Sequence, residues 1–162
     1  MIYLGIGSNL PGSYASSEAL VRQAIERLGQ ARLRICAVSP LYQTPPVGPA
    51  GQAPYVNACL AVSSNLSPEG LLRELHAIEA EFGRARRVKW GPRTLDLDVL
   101  DYRGEIRDQR IILPHPRIAQ RGFVLVPLHN IAPNWRHPKT GVPIETLKKH
   151  LPIGEAKALK RL

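Results

Sequence analysis

Asp96 and Asp98 stand two residues apart in the run LDLDV, interleaved with Leu95, Leu97 and Val99. That alternation predicts a strand with apolar side chains on one face and both carboxylates on the other. At a rise of roughly 3.3 Å per residue the two Cα atoms lie about 7 Å apart. Two like charges side by side cost free energy unless something cationic lies between them. Hard oxygen ligands on a rigid strand suit Mg²⁺, which takes one or two carboxylates and completes its shell with phosphate oxygens and water. The alternative is a solvated strand face whose acids pair with nearby arginines.

The preceding segment, RARRVKWGPR at residues 84–93, carries five cations in ten residues. Arginine forks match phosphate oxygens two at a time. A magnesium-nucleotide needs both parts, carboxylates for the metal and guanidinium groups for the remaining phosphate charge. A basic surface loop that binds nothing is the plainer alternative. Its position between the aspartate strand and a helix carrying His76 and Glu79 weighs against that, since those two residues lie three apart and are neighbours on the helix.

Tyr55, Asn57 and Phe123 could hold a flat polar ring. An amide offers donors and an acceptor to a heterocyclic edge, and an aromatic face stacks on the ring. Ordinary packing is the alternative for Phe123, and a surface position for Tyr55. His115, between Pro114 and Pro116, could contact phosphate or cap a turn. GIGSNL at residues 5–10 fails as a dinucleotide fingerprint because Leu10 stands where the third glycine belongs. Gly5 and Gly7 instead predict close backbone packing at a strand end. No P-loop, nucleophile elbow or HExxH zinc motif occurs in the sequence.

The elements that must position these residues follow from periodicity and punctuation. Residues 1–7 read as a strand running into a turn. Ser16 or Ser17 caps a helix with the stripe Val21, Ala24, Ile25 and Leu28, stopped by Gly29. Leu33, Ile35 and Ala37 alternate as a strand, and residues 43–54 read as loop because of their prolines. Val56, Ala58, Leu60 and Val62 form one strand face, with Tyr55 and Asn57 on the other. Ser67, Pro68 and Glu69 open a helix with the stripe Leu71, Leu75, Ile78 and Phe82. After the aspartate strand, a hairpin through Arg103 and Gly104 leads to residues 110–113, and the proline-spaced tail from Ile131 has no assigned structure. Strands and helices interleave without regular βαβ spacing, which predicts an α+β sandwich with a mainly antiparallel sheet.

The chain has 162 residues, enough for one domain with its own core. Its net charge of +9 favours anionic partners without choosing among them. Cys36 and Cys59 make no disulfide framework or CxxC site, and read as buried, reduced thiols of a cytoplasmic protein. Gly5, Gly7, Ser8 and Asn9 arrive too early for a secretory leader, so none is expected. The uncharged stretch from Ile35 to Pro68 is broken by five prolines before the last residue, so it is not a membrane span.

Taken together, TPPVGP at 44–49, YVNA at 55–58, GPRTLDLD at 91–98, LPHPR at 113–117 and RGFVLVPL at 121–128 resemble the 6-hydroxymethyl-7,8-dihydropterin pyrophosphokinases of folate biosynthesis. With GIGSNL, the resemblance covers about residues 2–135 and leaves the tail unassigned. It implies a single pyrophosphokinase domain over 1–162 with a ferredoxin-like α+β fold. It also implies magnesium-dependent transfer of pyrophosphate from ATP to the pterin hydroxymethyl group, with AMP leaving.

The resemblance further implies roles for individual residues. Asp96 and Asp98 match ligands of two Mg²⁺ ions held against the triphosphate. Arg84, Arg86 and Arg93 join them in catalysis. His76, Glu79, Val99, Arg110, His115 and Arg121, with Arg84 and Arg93, match ATP-binding positions. Thr44, Pro45, Pro46, Val47, Tyr55, Asn57 and Phe123, with Asp96, match the pterin pocket, and Arg87 and Trp90 match a lid loop. The sequence departs from familiar members at His76, Ile112 and Pro116, and by one residue between Gly83 and Trp90. The implied partners are ATP and the dihydropterin, for a cytoplasmic monomer with no nucleic acid, membrane or obligate protein partner.

A nucleic-acid-binding module is the rival class, motivated by the +9 charge and the basic segment. Such a module would want aromatics among its cations, and Trp90 alone interrupts them. The paired acids beside that segment would also repel a phosphate backbone unless metal were bound.

Overall fold

The computed structural model describes residues 1–45, 51–83, 94–152, 154, 155 and 157–162. Strand β1 (Ile2–Ser8) runs into helix α1 (Ser17–Gly29), whose N-cap Ser16 accepts the Ala19 N–H on its hydroxyl at 3.1 Å. Three strands follow: β2 (Arg34–Val38), β3 (Tyr42–Thr44) and β4 (Tyr55–Ser63). Helix α2 (Pro68–Glu81) starts as its sequence predicts, with the Ser67 hydroxyl accepting the Gly70 N–H and proline in the first turn. Strand β5 (Asp96–Tyr102) carries the paired aspartates. Beyond it lie β6 (Arg107–Gln109), β7 (Ile111–Leu113), a 3₁₀ turn at Ile118–Gln120, α3 (Gly122–Ile131), α4 (Ile144–Lys149) and β8 (Lys160–Arg161).

The main sheet has the order β5-β1-β4-β3-β8, with β2 also paired to β4, and every pairing is antiparallel. Strand β4 is buried without interruption from Val56 to Val62, because strands flank it and helices cover both its faces. Val56, Ala58, Leu60 and Val62 join Leu71, Leu75 and Ile78 of α2 and the apolar side of α1 in one core. Cys59 turns the opposite way, into a second core with Val124, Leu125 and Leu128 of α3 and Ile144 of α4. The β1–β5 register slips beside Leu100, which falls out of the pairing, so Leu100 joins the α3 side as well. Buried Trp135 donates its indole N–H to the Asp101 carboxylate at 2.7 Å and ties the segment after α3 to β5.

Four expectations need correction. Gln43 and Thr44 are strand, not loop: Tyr42, Gln43 and Thr44 pair with Asn57, Val56 and Tyr55, and that partnership outweighs their weak local strand signal. The hairpin turns at Arg110, where φ is +58°, and joins β6 to β7; Arg103 and Gly104 form a turn whose flanking strands do not pair. Cys36 is exposed, because among the described residues β2 pairs with β4 alone, and it slips register between Ile35 and Ala37. The tail is structured: α4 packs on α3, and β8 extends the sheet beyond β3. Among the described residues, no helix is long and apolar enough to cross a membrane.

Candidate active site

The site begins with two absent side chains. Gly5 and Gly7 of β1 lie opposite Asp98 and Asp96 on β5, and opposite Cys59 and Asn57 on β4. Directly opposed residues of antiparallel strands share a face, so the glycines leave a depression between the aspartates and Asn57. The result is a cavity of about 500 Å³ between the sheet and the start of α3. A Cβ on Gly7 would meet Asn57 Oδ1 at 2.6 Å, and one on Gly5 would meet the Leu100 side chain at 3.4 Å. The close approach therefore requires glycine at position 7 above all.

One end of the cavity suits a flat polar ring. Asn57 and Thr44 are both buried, and Asn57 Nδ2 donates to Thr44 Oγ1 at 2.8 Å. That bond leaves the rest of the amide to meet a ligand edge with donor and acceptor together. Tyr55 and Pro45 line the same end, and Phe123 of α3 enters from above. The Arg121 guanidinium carbon lies 5.4 Å from the Phe123 ring centroid, within reach of a cation–π contact.

The other end is acidic, rimmed by basic and imidazole groups. Asp96 and Asp98 face the cavity together with His115, Arg117 and Arg121. The His115 N–H donates to Leu100 O at 2.8 Å, anchoring the Pro-His-Pro segment to the irregular point of β5. Its Nδ1 accepts the Arg117 N–H at 3.1 Å, so in the neutral ring Nε2 carries the proton, 4.0 Å from Asp98 Oδ2. Burial, reinforced by Arg121 and resisted by Asp96, pushes the His115 pKa down to about 4. His115 is thus a neutral donor at pH 7.

The donor set fits Mg²⁺ delivered with a phosphate substrate. Asp96 and Asp98 present hard oxygens across from glycines, the Asp98 side chain is 41% exposed toward the cavity mouth, and phosphate oxygens can supply further ligands. Among the described residues, no group of three or more His, Cys, Asp or Glu is placed to hold a metal ion. A structural, fully protein-ligated metal is therefore not built here from those residues.

The cavity brings together Thr44, Pro45, Tyr55, Asn57, Asp96, Asp98, His115, Arg121 and Phe123 of the sequence-predicted residues. It does not include four others. Glu79 is buried on the opposite side of β5, where its Oε1 accepts the Leu97 N–H at 2.7 Å. His76 is half-buried on α2, and Val99 belongs to the α1–α2 core. Arg110 is the exposed turn residue of the β6–β7 hairpin, where its charge adds to that of Arg107 in holding the Glu69 carboxyl below its ordinary value, behind that acid's own backbone N–H. Pro46, Val47, Arg84, Arg86, Arg87, Trp90 and Arg93 lie outside the described residues.

Sequence reasoning missed three polar lining residues, Arg117, Gln120 and Glu155. Arg117 closes the LPHPR motif and could have been flagged. Glu155 stands in the tail with no local signal.

Residues 3–133 match the family model described as 7,8-dihydro-6-hydroxymethylpterin-pyrophosphokinase. The chain is 43% identical over 134 residues to the 2-amino-4-hydroxy-6-hydroxymethyldihydropteridine pyrophosphokinase of Methylorubrum extorquens, covering 82% of each chain. It is 46% identical over 138 residues to the Pseudomonas aeruginosa protein of the same name, covering 85% of this chain and 83% of that one. In fold it is similar to the crystal structure of wild-type Plasmodium falciparum HPPK-DHPS, with a TM-score of 0.73 at 14% identity. That match covers 99% of this chain, which spans 46% of the longer Plasmodium chain.

Proposed function

We propose a division of labour for the residues of this cavity on the premise that the chain belongs to the 7,8-dihydro-6-hydroxymethylpterin-pyrophosphokinase family. It transfers pyrophosphate from ATP to the hydroxymethyl group of 6-hydroxymethyl-7,8-dihydropterin, releasing AMP, in folate biosynthesis. The observation that carries the assignment of roles is the convergence of a carboxylate pair and an amide-and-aromatic slot on one cavity.

The pterin lies in the slot. Asn57, held by Thr44, meets the heterocyclic edge, and the rings of Phe123 and Tyr55 bracket its faces. Pro45, Pro46 and Val47 complete that end by sequence match. The hydroxymethyl group then points across β1 toward Asp96 and Asp98, so its oxygen approaches the β-phosphorus. The oxygen–phosphorus bond forms as the bond from that phosphorus to the α–β bridging oxygen breaks, and the hydroxyl proton is lost to solvent or phosphate. Little covalent work falls to the protein, so orientation and charge neutralisation dominate.

Asp96 and Asp98 would hold two Mg²⁺ ions, which would supply neutralisation of the charge on the triphosphate and on its leaving oxygen. Arg121 and the neutral Nε2–H of His115 add donors at that end, and Arg117 is near enough to join them. By sequence match, Arg84, Arg86 and Arg93 contribute further positive charge during transfer, and Arg87 and Trp90 belong to a segment that closes over the substrates. His76, Glu79, Val99 and Arg110 keep their matched association with ATP only as supports, Glu79 and Val99 on the core side of β5, His76 on α2 and Arg110 in the β6–β7 turn.

The architecture reads as a ferredoxin-like sandwich forming one domain over 1–162. What supports this is the order β5-β1-β4-β2 within the antiparallel sheet, with α1 and α2 as the two crossover helices. The nucleic-acid alternative is disfavoured by an acid-lined cavity where an extended basic face would be needed.

The test is a reaction with ATP, Mg²⁺ and the hydroxymethyl-dihydropterin, read by phosphorus NMR and mass spectrometry. AMP and a doubly phosphorylated pterin are the expected products. ADP with a singly phosphorylated pterin would refute the assignment, even if Mg²⁺ and Asp96 proved necessary.

A further inference from the structure

The geometry points to Glu155 as a positioning residue for the pterin slot, acting from a C-terminal segment that lies beyond the family-matched residues 3–133. Its Oε2 accepts the Gly122 N–H, the first of α3, at 2.8 Å. Arg121, the N-cap residue of α3, makes no side-chain cap bond of its own. The first turn of a helix leaves backbone N–H groups without intrahelical partners. Here a carboxylate from 33 residues downstream satisfies one of them.

The contact is built, not incidental. A Cβ on Gly122 would lie 3.0 Å from Glu155 Oε2 and 3.4 Å from its backbone carbon, so glycine lets the two segments close on each other. The tail is fastened on both sides of Glu155. Before it, Leu151 packs on the α3–α4 core. After it, Lys160 and Arg161 pair with Gln43 and Tyr42 of β3, and the Leu162 N–H donates to Leu41 O at 3.0 Å. The tail therefore bridges from α3 to the strand that ends in Thr44, and Glu155 itself lines the cavity.

The residue directly after the capped glycine is Phe123, and the one before it is Arg121. Holding the Gly122 N–H fixes the backbone from which the Phe123 ring and its overlying guanidinium are presented to the slot. Without the cap, the first turn can fray and the ring loses its set distance from Asn57 and Tyr55. This inference rests on the pterin reading of the slot.

The test measures KM for the dihydropterin with the full chain, its Glu155→Ala variant and its Glu155→Gln variant. The amide oxygen of glutamine can accept the same N–H, so Glu155→Gln should stay within about twofold of the parent, whereas Glu155→Ala should raise the pterin KM about tenfold. A merely structural role would lower the folded fraction and the apparent kcat, leaving KM where it was. An active parent chain with an unchanged pterin KM in Glu155→Ala overturns this inference alone, as does a Glu155→Gln variant as impaired as the alanine. A parent chain that does not pyrophosphorylate the pterin overturns the family reading and this inference with it.

Discussion

The Leu97 N–H, midway between the two cavity-facing aspartates, donates to Glu79 Oε1 at 2.7 Å across the interface of β5 and α2. Among the described residues, strand β5 is the edge of the main sheet and pairs with β1 alone, so an N–H on its outer side needs a partner from elsewhere. Glu79 is 2% exposed and provides that partner. A carboxylate on the core side thus fixes the strand that presents two carboxylates on the cavity side.

Glu79→Ala should therefore destabilise the fold by about 1–3 kcal/mol, the cost of an unsatisfied buried donor. Urea denaturation reads this as a lower midpoint. The variant should also need more Mg²⁺ for half-maximal activity, because Asp96 and Asp98 lose their fixed spacing. An unchanged midpoint would mean that the bond contributes nothing net.

Asp96→Ala and Asp98→Ala should each nearly abolish turnover while the thermal midpoint holds. Each removes a carboxylate proposed to hold the metal from a half-exposed position where little packing is lost. Circular dichroism and product assays at modest Mg²⁺ separate the two effects. Parent-like activity in either variant would remove the metal assignment.

Asn57→Ala should weaken pterin binding by about 1–3 kcal/mol, since a heterocyclic edge is left unpaired in a buried slot. ATP affinity should change far less, and Phe123→Ala should follow the same pattern through lost stacking. Titration calorimetry with each ligand distinguishes this from equal weakening, which would misplace the slot.

Gly7→Ala should mimic Asn57→Ala. Its new methyl group would stand 2.6 Å from Asn57 Oδ1, forcing the amide away from Thr44, whereas Gly5→Ala meets only the edge of Leu100 at 3.4 Å. The pterin KM should rise strongly in the first variant and little in the second. Equal effects would show that the amide is not held by this approach.

The two cysteines should differ in reactivity. Cys36 is exposed, while burial pushes the Cys59 thiol up and its Sγ lies 3.6 Å from Val124 O. A disulfide reagent at mildly alkaline pH should modify one thiol quickly in the native protein and the second only on denaturation. Rapid reaction of both would mean that the β4–α3 interface opens readily.

Patterns within a few residues of each other were legible in the chain. Ser16 and Ser67 announced their helices because an N-cap bond spans three residues, and the alternation at 95–99 announced which face of β5 carries acids. The dense motifs around Asn57, the aspartates and Phe123 likewise pointed to one family without any knowledge of their spatial arrangement. What the sequence could not decide was set by partners distant along the chain. Gln43 and Thr44 are strand because Val56 and Tyr55 pair with them, and Cys36 is exposed because β2 lies at the rim. Gly5 and Gly7 form a cavity floor because β1 sits between Asn57 and the aspartates. Glu79 turns inward to an edge N–H, and Glu155 reaches back to cap a helix 33 residues earlier. Local propensity governs where elements start and how they alternate; long-range pairing and burial govern which face, which edge and which cavity each side chain meets.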